Sequence, residues 1–201
     1  MRETTGASLA GASSNYDRVK DDFYATNPQS VRDLLDIADI KGDSFYENCV
    51  GGGHIAEVLK ECFPSAKHFH TDLVYRGYGT GGVDFVSDDV LVNILGGKKV
   101  DWVVTNPPFK LAREFIDKSL EVTNTGVAMF LKIQFLEGQG RKEWFKKTPL
   151  KYVYVFSARQ IPMRDGLEIN PETEKKWSST MCFAWFVWEH SYRGEPMIRW
   201  I

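Results

Sequence analysis

Apolar and polar positions alternate along the chain in two periods, and the switches between them mark out its elements. Asn27 followed by Pro28 reads as a polar cap with proline at the first helical position, and Val31, Leu34, Leu35 and Ala38 then share one helical face. Ser44 to Val50 is a short apolar run closed by Gly51-Gly52-Gly53, after which Ile55, Val58, Leu59, Cys62 and Phe63 return at helical spacing. This is strand, glycine turn, helix. Lys67 to Leu73 alternates as a strand, Val83 to Val86 is predicted as a brief one, and Val100 to Thr105 is a continuous apolar run suited to burial on both faces. Leu111, Phe115, Ile116 and Leu120 form another helix face, and a helix is predicted from Gly140 to Thr148. Val127 to Ile133, Tyr152 to Phe156 and Met181 to Trp188 read as three later strands. Alternation of this kind predicts an α/β fold, a Rossmann-like and mostly parallel seven-stranded sheet with helices on both faces.

Length and composition narrow the picture. With 201 residues and 43% hydrophobic content, the chain suffices for one compact core and is short for two. Residues 1–21, rich in Gly, Ala, Ser and Thr without a hydrophobic period, are expected to be a flexible arm, and 22–201 a single domain. No apolar run reaches the roughly 18 residues of a membrane span, and the start lacks a secretory signal, so a soluble, cytoplasmic protein is expected. Cys49, Cys62 and Cys182 lack the spacing of a zinc site or disulfide framework and are expected to be reduced and packed. His68 and His70 alternate on one strand face without a third ligand nearby, so no metal is expected.

A net charge of -2 does not describe a protein that grips nucleic acid indiscriminately. Its distribution says more: between Lys132 and Lys176 stand ten basic and six acidic residues, a positive segment in an otherwise acidic chain. A solvated face and a phosphate track both fit that bias.

Four strand ends carry candidate chemistry. Glu47-Asn48-Cys49-Val50-Gly51-Gly52-Gly53 ends the first strand, where glycines let backbone approach a ligand and the following helix points its amides at it. A glycine turn alone serves equally as a plain tight turn, but Glu47 beside it is positioned to receive an ammonium group. Asp72 ends the second strand about twenty residues on, where a Rossmann-like site places the carboxylate for ribose hydroxyls. Dinucleotides remain compatible with that acid, although the run Gly-Gly-Gly-His-Ile-Ala is not the turn that packs a pyrophosphate. Asp84 and Phe85, predicted at a third strand end, offer an acid and a ring for an adenine, or merely a strand-end acid with a core ring.

Asn106-Pro107-Pro108-Phe109, at the end of the apolar fourth strand, is the most specific feature. Consecutive prolines force extended backbone on the residue before each, so the Asn106 side-chain carbonyl and the Pro107 main-chain carbonyl become aimed acceptors. An exocyclic amino group is a poor nucleophile because its lone pair is conjugated into the ring. Two acceptors for its hydrogens leave that lone pair directed at a methyl sulfonium, without a strong base. Phe109 supplies a face on which an extruded base stacks.

Together ENCVGGG, Asp72, Asp84-Phe85 and NPPF resemble the motifs of amino-methyltransferases, particularly the small phage DNA adenine-N6 methyltransferases. The resemblance runs from about Asp22 to the C-terminus. It implies the S-adenosylmethionine-dependent methyltransferase fold, S-adenosyl-L-methionine as cofactor, and DNA as partner, with RNA as the nearest alternative. Phe23 to Pro28, FYATNP, resembles the family's motif at the cofactor's methionine end, which gives that role to Tyr24 and Thr26. The cofactor set so implied is Tyr24, Thr26, Glu47, Cys49, Gly51, Gly53, Asp72, Leu73, Asp84, Phe85 and Asn106; the catalytic set is Asn106, Pro107, Pro108 and Phe109. Many relatives have proline where this chain has Asn48, and no separate target-recognition domain fits in its length. Methylation of a protein glutamine amide and a degenerate fold serving as a binding protein are the competing functions. His54 is expected as a helix-start residue, and Trp177, Trp185, Trp188 and Trp200 mainly in the core or at its edge, with Trp177, in a polar stretch, also placed to meet a base. The polar excursion from Arg159 to Ser179, with Arg164, Lys175, Lys176 and Trp177, and Lys132 and Arg141 nearby, is expected to meet substrate.

Overall fold

The computed structural model describes residues 24–161, 163–164, 167, 169, 172–175 and 181–201. The expected N-terminal arm, Lys176 and Trp177 lie outside the described residues. In chain order the elements are β1 (Tyr24–Ala25), α1 (Pro28–Ile37), β2 (Ser44–Glu47), α2 (His54–Cys62), β3 (Lys67–His70), α3 (Val90–Asn93), β4 (Val100–Thr105), α4 (Ala112–Glu121), β5 (Thr123–Lys132), α5 (Gln139–Phe145), β6 (Leu150–Val155), β7 (Met163–Arg164), β8 (Phe183–Glu189) and β9 (Met197–Trp200). Seven strands form one sheet in the order β3-β2-β4-β5-β8-β6-β9, and β1 and β7 make a separate antiparallel ribbon. The pairs β3–β2, β2–β4, β4–β5 and β6–β9 are parallel; β8 runs antiparallel to both β5 and β6.

Successive side chains of the central strands enter opposite cores, which is why the sequence reads as unbroken apolar runs. Phe45, Trp102, Val104, Ala128, Phe130 and Trp185 pack beneath Val31 and Leu34 of α1 and Val58 and Leu59 of α2. Their neighbours Tyr46, Val103, Val127, Met129 and Phe186 face Phe115 and Ile116 of α4 and Trp144 of α5. Helices on both faces of the sheet follow. Asn27 caps α1 as its sequence predicts, its side chain accepting the Gln29 amide at 2.8 Å.

The strand predicted at Val83 to Val86 does not form. The Asp84 carboxylate accepts the amides of Val86 and Ser87, and the Asp84 carbonyl accepts that of Asp88, so the chain turns where extension was expected. The seventh strand is β9 instead, an apolar C-terminal segment that zips onto β6. Trp185 and Trp188 are fully buried as expected, whereas Trp200 is 70% exposed on that outer strand. Cys62 and Cys182 are likewise exposed and not packed, because both fall at the ends of their elements; all three cysteines are free. No helix among the described residues is long and apolar enough to cross a membrane.

From β2 the chain passes to β3 on one side and then crosses to β4 on the other. Such a reversal opens a crevice at the carboxyl ends of β2 and β4. Glu47 ends one strand and Thr105 the other.

Candidate active site

A cleft open to solvent, with an empty volume of about 550 Å³, occupies that crevice. Glu47, Cys49, Asp72 and Asn106 line it together with Tyr24 and Thr26 from the ribbon segment. Four separate stretches of sequence therefore meet where the topology opens.

Glu47 is 2% exposed, and its Oε2 has no hydrogen-bond partner among the described residues. Burial pushes its carboxyl well above the usual carboxylate range; the Ala56 amide on α2 opposes this and the Asp72 carboxylate adds to it. A buried acceptor left open in this way is matched by a cationic donor, such as an ammonium group. Cys49 is also raised, by burial first and then by Asp72, with the Thr105 hydroxyl opposing. Its thiol is an uncharged wall of the cleft.

Asp72 lies just beyond β3 and ties the turns together. One oxygen accepts the Gly51 amide at 2.8 Å; the other accepts the Val74 amide at 3.0 Å and faces Arg76 at 3.4 Å. An ionised carboxylate offers about four acceptor sites, so these bonds orient it while leaving capacity for hydroxyl donors. The glycine turn is built for packing as well as for approach. Gly53 has φ +87°, and a Cβ there would meet the Tyr78 ring at 2.5 Å. Only glycine fits beneath that ring.

Asn106 follows β4. Its side-chain Nδ2 donates to the main-chain carbonyl of Tyr24 at 2.8 Å and to the Thr26 hydroxyl at 3.1 Å. A carbonyl only accepts, so the amide orientation is fixed: the NH2 end faces β1 and Oδ1 is left as the acceptor. Thr26 is 3% exposed, and β1 is itself held by pairing with β7, Tyr24 opposite Arg164 and Ala25 opposite Met163. Pro107 is buried, while Pro108 joins the cleft wall.

Phe109 begins a single 3-10 turn into α4 and is not among the residues lining the first cleft. It lines a second hollow with Ala112, Leu131, Lys132, Gln134, Phe135 and Arg141. Lys132 and Arg141, both predicted from sequence to meet substrate, are thus brought to Phe109 of the Asn-Pro-Pro-Phe segment. Arg164 sits in β7 against Tyr24, and Lys175 is exposed.

Some predicted residues are not brought to the cleft. Phe85 is 2% exposed in the core between Tyr46 and Phe115, Asp84 organises its turn, and Leu73 is 63% exposed. Asn48 turns its amide to the Ser119 hydroxyl of α4 at 3.4 Å, away from the cleft wall. Conversely, sequence reasoning missed Arg76, Val50 and Ile55 as lining residues, and His54, read only as a helix start, also lines the cleft. The signal for Arg76 was its position four residues after Asp72. Among the described residues, no group of three or more His, Cys, Asp and Glu side chains is placed to hold a metal ion.

The sheet order, the helices on both faces and the cleft at the switch point define the Rossmann-like fold of S-adenosylmethionine-dependent methyltransferases. No family model and no curated protein matches the sequence. Solved structures do match in shape. A protein assigned as the modification subunit of a type I restriction enzyme from Vibrio vulnificus superposes with a TM-score of 0.61 at 13% identity, covering 96% of this chain and 48% of that one. The chain thus spans about half the length of that subunit. A predicted O-methyltransferase from Agrobacterium tumefaciens gives 0.58 at 11% identity over 87% of this chain and 85% of that one. A protein assigned as an RNA methyltransferase from Pyrococcus horikoshii gives 0.54 at 16% identity over 88% and 94%.

Proposed function

We propose that this chain is an S-adenosylmethionine-dependent methyltransferase acting on an exocyclic amino nitrogen, adenine N6 in DNA. The observation that carries the reading is the fixed Asn106 amide in the cleft lining, whose NH2 is taken up by Tyr24 and Thr26 so that its carbonyl oxygen is left to accept. A neutral acceptor of this kind suits an amino-group substrate, whose hydrogens it can take without a strong base. The cleft residues fit the cofactor: Glu47 would hold its ammonium group, Asp72 its ribose hydroxyls, and Tyr24, Thr26 and Cys49 would flank it. When bound, S-adenosylmethionine supplies an electrophilic methyl on a sulfonium.

The chain's own residues do the rest by positioning. Asn106 Oδ1 and the Pro107 carbonyl each accept one hydrogen of the amino group, which turns its lone pair toward the cleft without a strong base. Phe109 gives the flat base a surface once it has left its stack. DNA stands first among polymers because the Vibrio neighbour, matched over nearly all of this chain, is a modification subunit. The test is incubation with labelled cofactor and separate pools of duplex DNA, single-stranded DNA, RNA and protein, followed by nucleoside mass spectrometry. Label in N6-methyladenine from DNA supports the reading, and label in a glutamine amide of protein overturns it.

A further inference from the structure

Both aromatic rings that line the second hollow carry a cation over them. The Lys132 ammonium stands 4.4 Å from the Phe109 ring centroid, and the Arg141 guanidinium stands 5.1 Å from that of Phe135. Ala112 and Leu131 complete an apolar floor, and Gln134 adds an amide that both donates and accepts. Arg141 is held in place by donating to the Glu137 carbonyl. The Phe183 ring lies 5.9 Å from that of Phe109, tilted by 41°. Phe109 is thus covered by a cation where a base must stack, and a flat base reaches that ring only if the ammonium moves off it.

We infer that the hollow is a nucleotide seat in which an unpaired base displaces Lys132 from Phe109, while Lys132 and Arg141 take the phosphate that arrives with it. This rests on the nucleic-acid reading above and adds to it a role for Lys132 in admitting only a base that arrives with its phosphate. The physical reason is an exchange of partners. Uncovering the ring gives up a cation–π contact, and a phosphate, but not a neutral ligand, restores a favourable site for the released ammonium. A nucleoside or a glutamine side chain supplies the amino group without the phosphate, so it meets the covered ring with nothing to draw Lys132 away. Arg141, over the Phe135 ring, keeps the seat cationic during the exchange.

The test separates the two halves of that exchange with Lys132→Met, which keeps the length of the side chain and removes its charge. On a single-stranded adenine-containing oligonucleotide, affinity by fluorescence anisotropy should fall roughly two- to fivefold, the scale of an exposed ion pair. The log-log salt slope should shrink by about 0.7, one phosphate contact on a single strand. On adenosine, which has no phosphate, kcat/KM should instead rise, because the ring is no longer covered. Lys132→Arg should restore oligonucleotide affinity and salt slope. Equal losses on oligonucleotide and adenosine would mark Lys132 as structural and overturn the seat, and so would an unchanged salt slope in Lys132→Met. The binding arm does not depend on turnover. A parent protein that methylates no nucleic acid therefore removes the functional reading, while the anisotropy series still decides whether the hollow holds a phosphodiester strand.

Discussion

The side-chain amide of Asn106 donates to the main-chain carbonyl of Tyr24, 82 residues earlier in the chain, at 2.8 Å. This bond joins the tip of β4 to a two-residue ribbon and determines which end of the amide faces β1. The second bond, to the Thr26 hydroxyl, holds the same orientation.

Removal of the acceptor should abolish turnover and spare the fold. Asn106→Ala is expected to lower kcat by at least about a hundredfold, the scale for losing one positioned group at a reacting centre. Thr26→Val should cost less, roughly tenfold or more, since it leaves one N–H of Asn106 unpaired at about 1 to 3 kcal/mol. Steady-state kinetics with matching circular dichroism spectra check both. Turnover of Asn106→Ala within a few-fold of the parent would remove the assigned mechanism.

Glu47 makes stability depend on pH in a direction opposite to most surface acids. Its folded carboxyl lies above the ordinary value of 4.5 because burial disfavours the charge. The folded state therefore holds this proton more tightly than the unfolded state. Its contribution is present in full below 4.5 and is lost as pH rises through the higher folded value. Urea unfolding of the ligand-free protein should show stability declining across that range, and Glu47→Gln should flatten the decline. S-adenosylmethionine should flatten it too, because its ammonium group pairs with the ionised carboxyl. A pH profile identical in parent and Glu47→Gln would show that this group is not buried and uncompensated.

Asp72 holds the Gly51 amide, and in the proposed function it also offers acceptors to the cofactor's ribose. Asp72→Ala is expected to weaken cofactor binding by on the order of 1 to 3 kcal/mol. Isothermal calorimetry with S-adenosylhomocysteine measures this. Unchanged affinity would move the ribose site elsewhere in the cleft.

Phe109 lies outside the cofactor cleft, so its loss should register on the substrate side. Phe109→Ala should lower kcat/KM on nucleic acid by the roughly 1 to 3 kcal/mol of one base–aromatic stack. Cofactor affinity should change little, and Phe109→Trp should retain most activity. Parent-like activity of Phe109→Ala at limiting substrate would rule out stacking of the target base on this ring.

Arg164 pairs with Tyr24 of β1, and Arg164, Lys175 and Lys176 share the polar stretch expected to meet substrate. Phosphate contacts position a strand without reading it, so neutralising the three residues together should lower affinity across all sequences and flatten its salt dependence. Discrimination between sequences should be weak or limited to a short site. Binding by the triple variant with the parent's affinity and salt slope would exclude the loop.

The chain's own pattern was enough to place most of the sheet. Runs such as Val100 to Thr105 announce strands because alternate side chains, Trp102 and Val103 among them, enter cores on opposite faces. Asn27-Pro28 announces α1 because cap and proline act within a single turn. Asn106 to Phe109 was legible for the same reason, since proline restricts its immediate neighbours whatever the rest of the chain does. Tertiary structure decided the rest. Val83 to Val86 has the composition of a strand, yet the Asp84 carboxylate bonds the two amides that a strand would have extended. Met197 to Trp200 is exposed and carries no alternation, and it becomes a strand only because the edge of β6 is open beside it. Gly53 looks like a ligand-facing glycine until Tyr78 is found over it. The orientation of Asn106, Arg76 at Asp72 and Lys132 over Phe109 follow the same rule. Periodicity reports how deeply a residue is buried and which dihedrals it prefers, whereas its hydrogen-bond and ring partners depend on which distant segments the topology brings within a few ångströms.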